Sequence, residues 1–190
     1  VSILLLYTKN KRYNVKIFLA DGRLGNQIFQ YVFIKTVQDN NENIIVSGFE
    51  DLREVFEINV VAPSILNQHV IPHMNSGSSV LYVGSTLSEK AVRGTYSYVV
   101  SKHATVGMMR ATCQDLVGTG IHTACICPGF TDTEMLRDHV PASALADVSA
   151  ASAFGRLIQP NEISDTLFFA ARNPVINGAL IHANLGQRER

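Results

Sequence analysis

Apolar runs of strand length alternate with helix-length segments along the sequence, and this alternation leaves few folds open. Residues 15–20 read as a strand, 26–39 as a helix and 43–47 as a second strand, with the polar turn Asp39-Asn40-Asn41-Glu42 between the last two. Residues 50 to about 73 are helical in pattern, with Val55, Ile58, Leu66 and Val70 recurring near helical spacing. Residues 79–83 form a buried strand. A long helix over 96–117 is closed by Gly118 and Gly120, and the next strand, 121–127, is stopped by Pro128-Gly129. A helix over 161–171 and a strand over 179–183 complete the series. Such alternation predicts an α/β fold: an open parallel sheet with helices on both faces and right-handed crossovers.

Composition narrows the functional classes. With 190 residues, 46% apolar and 17% charged, the chain suits one compact globular domain. The net charge is zero and no basic block occurs, which argues against a nucleic-acid partner. The apolar start Val1-Ser2-Ile3-Leu4-Leu5-Leu6-Tyr7 falls far below the ~20 residues that span a bilayer and lacks a basic leader, so a buried edge strand is expected and no membrane partner. A chain that begins with valine also fits a fragment or a processed product. Cys113, Cys125 and Cys127 make no disulfide framework. The latter two sit two apart on one strand and read as small core residues in a reducing cytoplasm. His69 and His73 have helical metal-ligand spacing, but Pro72 lies between them and no third ligand follows nearby, so no metal is expected.

Candidate chemistry gathers at Tyr98 and Lys102, four apart and so on one helix face, with Ser85 thirteen residues upstream at a strand end. An ammonium beside a phenol favours the phenolate and eases proton exchange near neutrality. A strand-end serine can orient a carbonyl or hydroxyl against such a phenol. The trio suits proton transfer coupled to hydride transfer. In open parallel sheets ligands sit outside the carboxyl ends of the strands, where Ser85, the Pro128-Gly129 turn, Gly22 and Gly25 all fall. Plainer readings stand beside these. Tyr98 and Lys102 can be a surface aromatic with a charged neighbour, Ser85 a cap, Asn59 a locally bonded helical asparagine, and Thr131 and Asp132 caps of a following helix. Gly22-x-x-Gly25 reads best as a tight turn, and Glu50 is a weak candidate for a ribose-binding acid.

Several stretches in order resemble the short-chain dehydrogenase/reductase family over about residues 54–187. Phe56-Glu57-Ile58-Asn59-Val60 is similar to its helix-four segment, Val80 through Ser85 to its serine-bearing strand, and Tyr98-Val99-Val100-Ser101-Lys102 to its Tyr-x-x-Ser-Lys. Cys127-Pro128-Gly129-Phe130-Thr131-Asp132-Thr133 resembles its Pro-Gly-x-x-x-Thr segment. Gly155-Arg156-Leu157 with Pro160-Asn161-Glu162-Ile163, and Gly178 through Gly186, resemble its C-terminal stretches. The resemblance implies a Rossmann-like sheet, NAD or NADP as cofactor, and hydride exchange with a small carbonyl or secondary alcohol. It implies a catalytic set of Asn59, Ser85, Tyr98 and Lys102. Tyr98 would be the general acid/base, Lys102 would also hold the nicotinamide ribose, and the Asn59 backbone would hold a water linking the lysine to solvent. Pro128, Gly129, Thr131 and Thr133 would border the cofactor, with Thr133 at the carboxamide, and residues 132–156 would select substrate. A homodimer or homotetramer is implied, the helices at 54–74 and 96–117 pairing across the dimer.

The N-terminal part departs from that pattern. Neither Thr-Gly-x-x-x-Gly-x-Gly nor Asn-Ala-Gly occurs, so the nucleotide-binding half reads as truncated or replaced. Asp21 through Tyr31 instead resembles the alpha-1,2-fucosyltransferase motif Gly-x-Leu-Gly-Asn-Gln-x-Phe-Gln-Tyr, a likeness covering about residues 15–56, although the donor motif His-x-Arg-Arg-x-Asp is absent. The expected organisation is a βαβ-like segment over 1–53 and a dehydrogenase-like half over 54–190, within one compact domain. The alternatives to a working reductase are an inactive dehydrogenase-like fragment and a fucosyltransferase-like sugar-nucleotide-binding fragment.

Overall fold

The computed structural model describes residues 52–187. Gly22, Gly25, the glycosyltransferase-like motif and Glu50 therefore lie outside the described residues. Strands β1 (Ser79–Val83), β2 (His122–Pro128) and β3 (Ala179–Ala183) form a parallel sheet in that order. Ser79 stands opposite His122 and Val83 opposite Ile126, while Ala124 faces Ala179 and Pro128 faces Ala183. All three strands thus end on one side of the molecule.

The central strand explains the two-sided cover. Residues 122–127 of β2 are all buried, as small and apolar side chains on both faces of a strand require. Cys125 and Cys127 point to one face and pack with Tyr82, Val106 and Met109, the last two on helix α3 (Tyr96–Asp115). On the other face His122 sends Nε2 to the Ala170 carbonyl of α6 (Pro160–Arg172) at 2.9 Å. Helices therefore cover both faces, as the alternation predicts. Removing the His122 imidazole leaves a cavity and orphans the Ala170 carbonyl. His122→Ala is expected to cost about 2 kcal/mol by urea denaturation.

Helix ends follow local chemistry. Gly118 and Gly120 take φ of +83° and +75° after α3, the left-handed conformation that closes a helix at little cost to glycine. Before α6, Arg156 grips Glu162 with two 2.8 Å bonds, and Glu162 accepts the Gln159 N–H at 2.7 Å. The Gly-Arg and Pro-x-Glu stretches are thus one capping device. Within residues 132–156, the stretch expected to select substrate, α4 (Glu134–His139) and α5 (Leu145–Ala150) form.

The helix expected over 50–73 is regular only in part. Helix α1 (Leu52–Phe56) widens into a π-turn over Glu57–Val61, continues as α2 (Ala62–Val70) and tightens at Ile71–His73. Pro63 supplies the reason: having no N–H, it cannot donate to the Asn59 carbonyl four residues back. The neighbouring Ala62 N–H reaches five residues back, to the Glu57 carbonyl. Wide turns of this kind often mark functional sites.

Candidate active site

Strand β1 carries the chain to Gly84 and Ser85, whose backbone stays extended before the turn Thr86–Ser88. The Gly84 N–H still donates to the Ile126 carbonyl at 2.8 Å, so the sheet holds the chain up to the residue before the serine. Ser85 Oγ accepts the Leu87 N–H at 3.1 Å, while the Ser85 N–H donates to Ser88 Oγ at 3.0 Å. Ser85 is therefore both a strand end and a cap. The cap uses the hydroxyl only as an acceptor, which leaves its hydrogen for an outside oxygen.

Helix α3 packs against that same turn and brings up Tyr98 and Lys102. Lys102 Nζ donates to the Val83 carbonyl at 3.0 Å and lies 5.5 Å from the Tyr98 ring centroid. Burial lowers the Lys102 pKa, because desolvation penalises the ammonium. Asn59 approaches from the π-turn: its Nδ2 donates to Ser101 Oγ at 3.1 Å, and that hydroxyl donates to the Tyr98 carbonyl at 2.8 Å. Asn59 and Lys102 share a cavity of about 260 Å³ with Pro63, Val83 and Thr105.

The second turn follows β2. Gly129 donates to the Ala183 carbonyl at 3.1 Å, and a side chain there would stand 2.7 Å from Gln187 Oε1 and 3.1 Å from Asn184 Cα. A larger residue would crowd Asn184 and push the Gln187 amide aside. Thr131 donates to the Gly129 carbonyl at 3.1 Å. Thr133 caps α4 by accepting the Leu136 N–H at 3.3 Å, and donates to the Thr131 carbonyl at 3.4 Å. Asp132 does not cap that helix; it takes both prongs of Arg137, at 2.7 and 2.9 Å.

These donors test the fit of a nicotinamide. Both threonine hydroxyls spend their hydrogens locally and remain acceptors, and Gln187 Oε1 is buried with no partner. A carboxamide NH₂ needs such acceptors, and a ribose diol needs a donor such as Lys102. The described residues fit the nicotinamide–ribose end of the cofactor. Among them no group of three potential metal ligands comes together, and no helix is long and apolar enough to cross a membrane.

Sequence reasoning missed three contributors here. Pro63, four residues after Asn59, was the available signal for the π-turn. Ser88, three after Ser85, was the signal for a reciprocal cap. The third is Cys127, whose thiol is drawn down to about 7, chiefly by the hydrogen bond from Cys125 and also by the Ser85 N–H, His182 and the Ser88 hydroxyl. Cys125 is pushed the other way and stays protonated as the donor. Lys102 on α3 and His182 on β3 are the titratable groups facing the pair, and His182 Nε2 also lies 3.0 Å from Glu89. A pKa depressed by folding stabilises above the unfolded value near 9 and loses that contribution as pH falls through about 7. The stability gap between the protein and Cys127→Ala should therefore widen from pH 7 to 9 under reducing conditions. A gap that narrows would reverse this assignment.

Comparison with known proteins agrees with the fold. A family model described as enoyl-(acyl carrier protein) reductase matches residues 35–187. The chain is 25% identical over 138 residues to a cis-4-hydroxycyclohexanecarboxylate dehydrogenase of Sinomonas cyclohexanicum, covering 70% of this chain and 55% of that one. A short-chain dehydrogenase/reductase from Serratia marcescens superposes with a TM-score of 0.67 at 28% identity, covering 73% of this chain and 57% of the other. A blue fluorescent protein from a metagenomic library, solved in complex with NADPH, gives 0.67 at 28% identity, covering 77% and 62%. The chain thus spans little more than half the length of these relatives.

Proposed function

The chain belongs to the short-chain dehydrogenase/reductase family, and we propose that it is an NAD- or NADP-dependent oxidoreductase acting on a small carbonyl compound or secondary alcohol. One observation carries this reading: the Lys102 Nζ–Val83 carbonyl bond ties the helix face bearing Tyr98 to the strand end that leads into Ser85. When bound, the nicotinamide supplies or accepts the hydride. Tyr98 Oη gives the proton to a carbonyl oxygen, or takes it from an alcohol. Ser85 donates its hydroxyl hydrogen to that same oxygen, since its lone pair is occupied by Leu87. Lys102 has one N–H committed to Val83 and offers the others to the ribose. The Asn59 carbonyl, freed of its helical donor by Pro63, holds water in the shared cavity and links Lys102 to solvent. Pro128, Gly129, Thr131 and Thr133 form the nicotinamide wall.

The NADPH complex of the solved relative supports a nicotinamide in general. A homodimer or homotetramer is part of the proposal: Ile58, Ile65, Leu66 and Val70 are exposed on the helices that the family pairs. The three unpaired thiols suit a cytoplasmic setting.

Fluorescence titration with NADH, NADPH and GDP-fucose tests the reading. Saturable binding of either dinucleotide, without GDP-fucose binding, is expected. Failure of both dinucleotides would leave an inactive dehydrogenase-like fragment. Binding of GDP-fucose alone would move the function to the segment at 15–56.

A further inference from the structure

A cavity of about 360 Å³ lies outside the carboxyl ends of the sheet, small for a ligand site but large enough for one. Thr86, Glu89 and Lys90 line it from the segment after β1, and His182, Asn184 and Gln187 from the end of β3 and beyond. The two segments meet there, with Glu89 Oε2 and His182 Nε2 3.0 Å apart. Thr86 directly follows Ser85, and Gln187 stands against Gly129. The cavity therefore adjoins both the serine turn and the nicotinamide wall. All six lining side chains are polar, whereas small-molecule sites are usually mostly apolar. Thr86 is only 8% exposed, yet its hydroxyl finds no partner among the described residues. Asn184 spends Oδ1 on the Gly186 N–H at 3.1 Å, which leaves its NH₂ to donate. Glu89 keeps a second carboxylate oxygen.

We propose that this cavity is the substrate subsite and that it takes the hydroxylated part of a small, neutral polyhydroxy ketone, or of the polyol formed from it. The inference rests on the oxidoreductase reading and deepens it. Donors and acceptors alternate around one small space, and a hydroxyl is the neutral group that answers either. Glu89 and Lys90 cancel in formal charge, so neither sign of ligand is favoured. An apolar chain in the same place would strand these groups without water or partner. The redox step is unchanged: hydride passes from the reduced nicotinamide to the carbonyl carbon, and Tyr98 gives the proton to its oxygen. Thr86, Asn184 and Glu89 bond hydroxyls on the carbons beyond.

Erythrulose and butanone share one ketone skeleton and differ only in hydroxyls. Erythrulose should exceed butanone in kcat/KM by more than about ten-fold. Thr86→Val keeps the shape of threonine without its hydroxyl and should cut that ratio about five-fold, mostly through the KM of erythrulose; Glu89→Ala should cut it similarly. The ketose carbonyl is the more electrophilic, so the change in the ratio decides, not its parent value. A ratio that neither variant moves, or a parent that prefers butanone, overturns the proposal. Threitol gives a readout free of turnover. Added to the protein, it should shift the Asn184 and Gln187 side-chain amide resonances saturably, and should fail to do so in Thr86→Val. Resonances that stay still in the parent defeat this inference even where ketones are reduced. Saturable shifts in a protein that reduces no ketone would instead sink the redox reading and leave the polyol site standing.

Discussion

Tyr98→Phe should lower turnover of any accepted ketone by about a thousand-fold while leaving nicotinamide affinity nearly intact. A positioned acid or base contributes roughly 10²- to 10⁴-fold, and the substitution deletes only the phenolic oxygen. Everything else Tyr98 does in the fold survives in phenylalanine. Its carbonyl still accepts the Ser101 hydroxyl at 2.8 Å, and its ring still lies beside Lys102. The chain from Asn59 to Ser101 is likewise untouched. Single-turnover reduction with pre-bound NADPH isolates the step, and a dinucleotide titration of the same variant shows whether the site still forms. Unchanged turnover would remove Tyr98 from the chemistry.

Strand and helix positions were legible because each rests on local pattern. Residues 79–83 and 179–183 coincide with observed strands, and residue 118 closes the long helix through a glycine that tolerates positive φ. The helix at 50–73 was legible as a helix but not as a broken one. Its apolar spacing survives the π-turn, so periodicity alone cannot reveal that Pro63 denies the Asn59 carbonyl its usual donor four residues on. The helices at 134–139 and 145–150 escaped for the opposite reason: each is only six residues long, too short to show an apolar stripe, and only the first has a side-chain cap, from Thr133.

The proposed site residues divide along the same line. Ser85, Tyr98 and Lys102 could be picked out because their spacing is fixed by one strand end and one helix face. What ties that helix face to the strand end is a contact of Lys102 with a backbone carbonyl nineteen residues away, which no side-chain motif encodes. The serine turn's foundation was hidden more deeply. Cys125 and Cys127 read as small core residues, and they are, but their sulfurs come up beneath Gly84 only because β1 and β2 pair in the observed register.

That backbone contact frames the second large effect. Lys102→Met should lower turnover by about a hundred-fold or more, comparable to losing one preorganised donor, and should also weaken the nicotinamide if Lys102 holds the ribose. The fold should survive. Val83 loses its donor, a cost of about 1 kcal/mol, but that residue is 46% exposed and water can take the place of Nζ. Against this, methionine removes an ammonium whose burial already lowers its pKa, so desolvation strain is relieved. Urea denaturation should therefore place the variant close to the parent while the kinetics collapse. Lys102→Arg should not rescue: a planar guanidinium cannot bond the Val83 carbonyl from the same position and still point single donors past Tyr98. If the methionine variant kept its turnover, Lys102 would be only a strap between helix and strand, and the proton path through Asn59 would have no cation to serve.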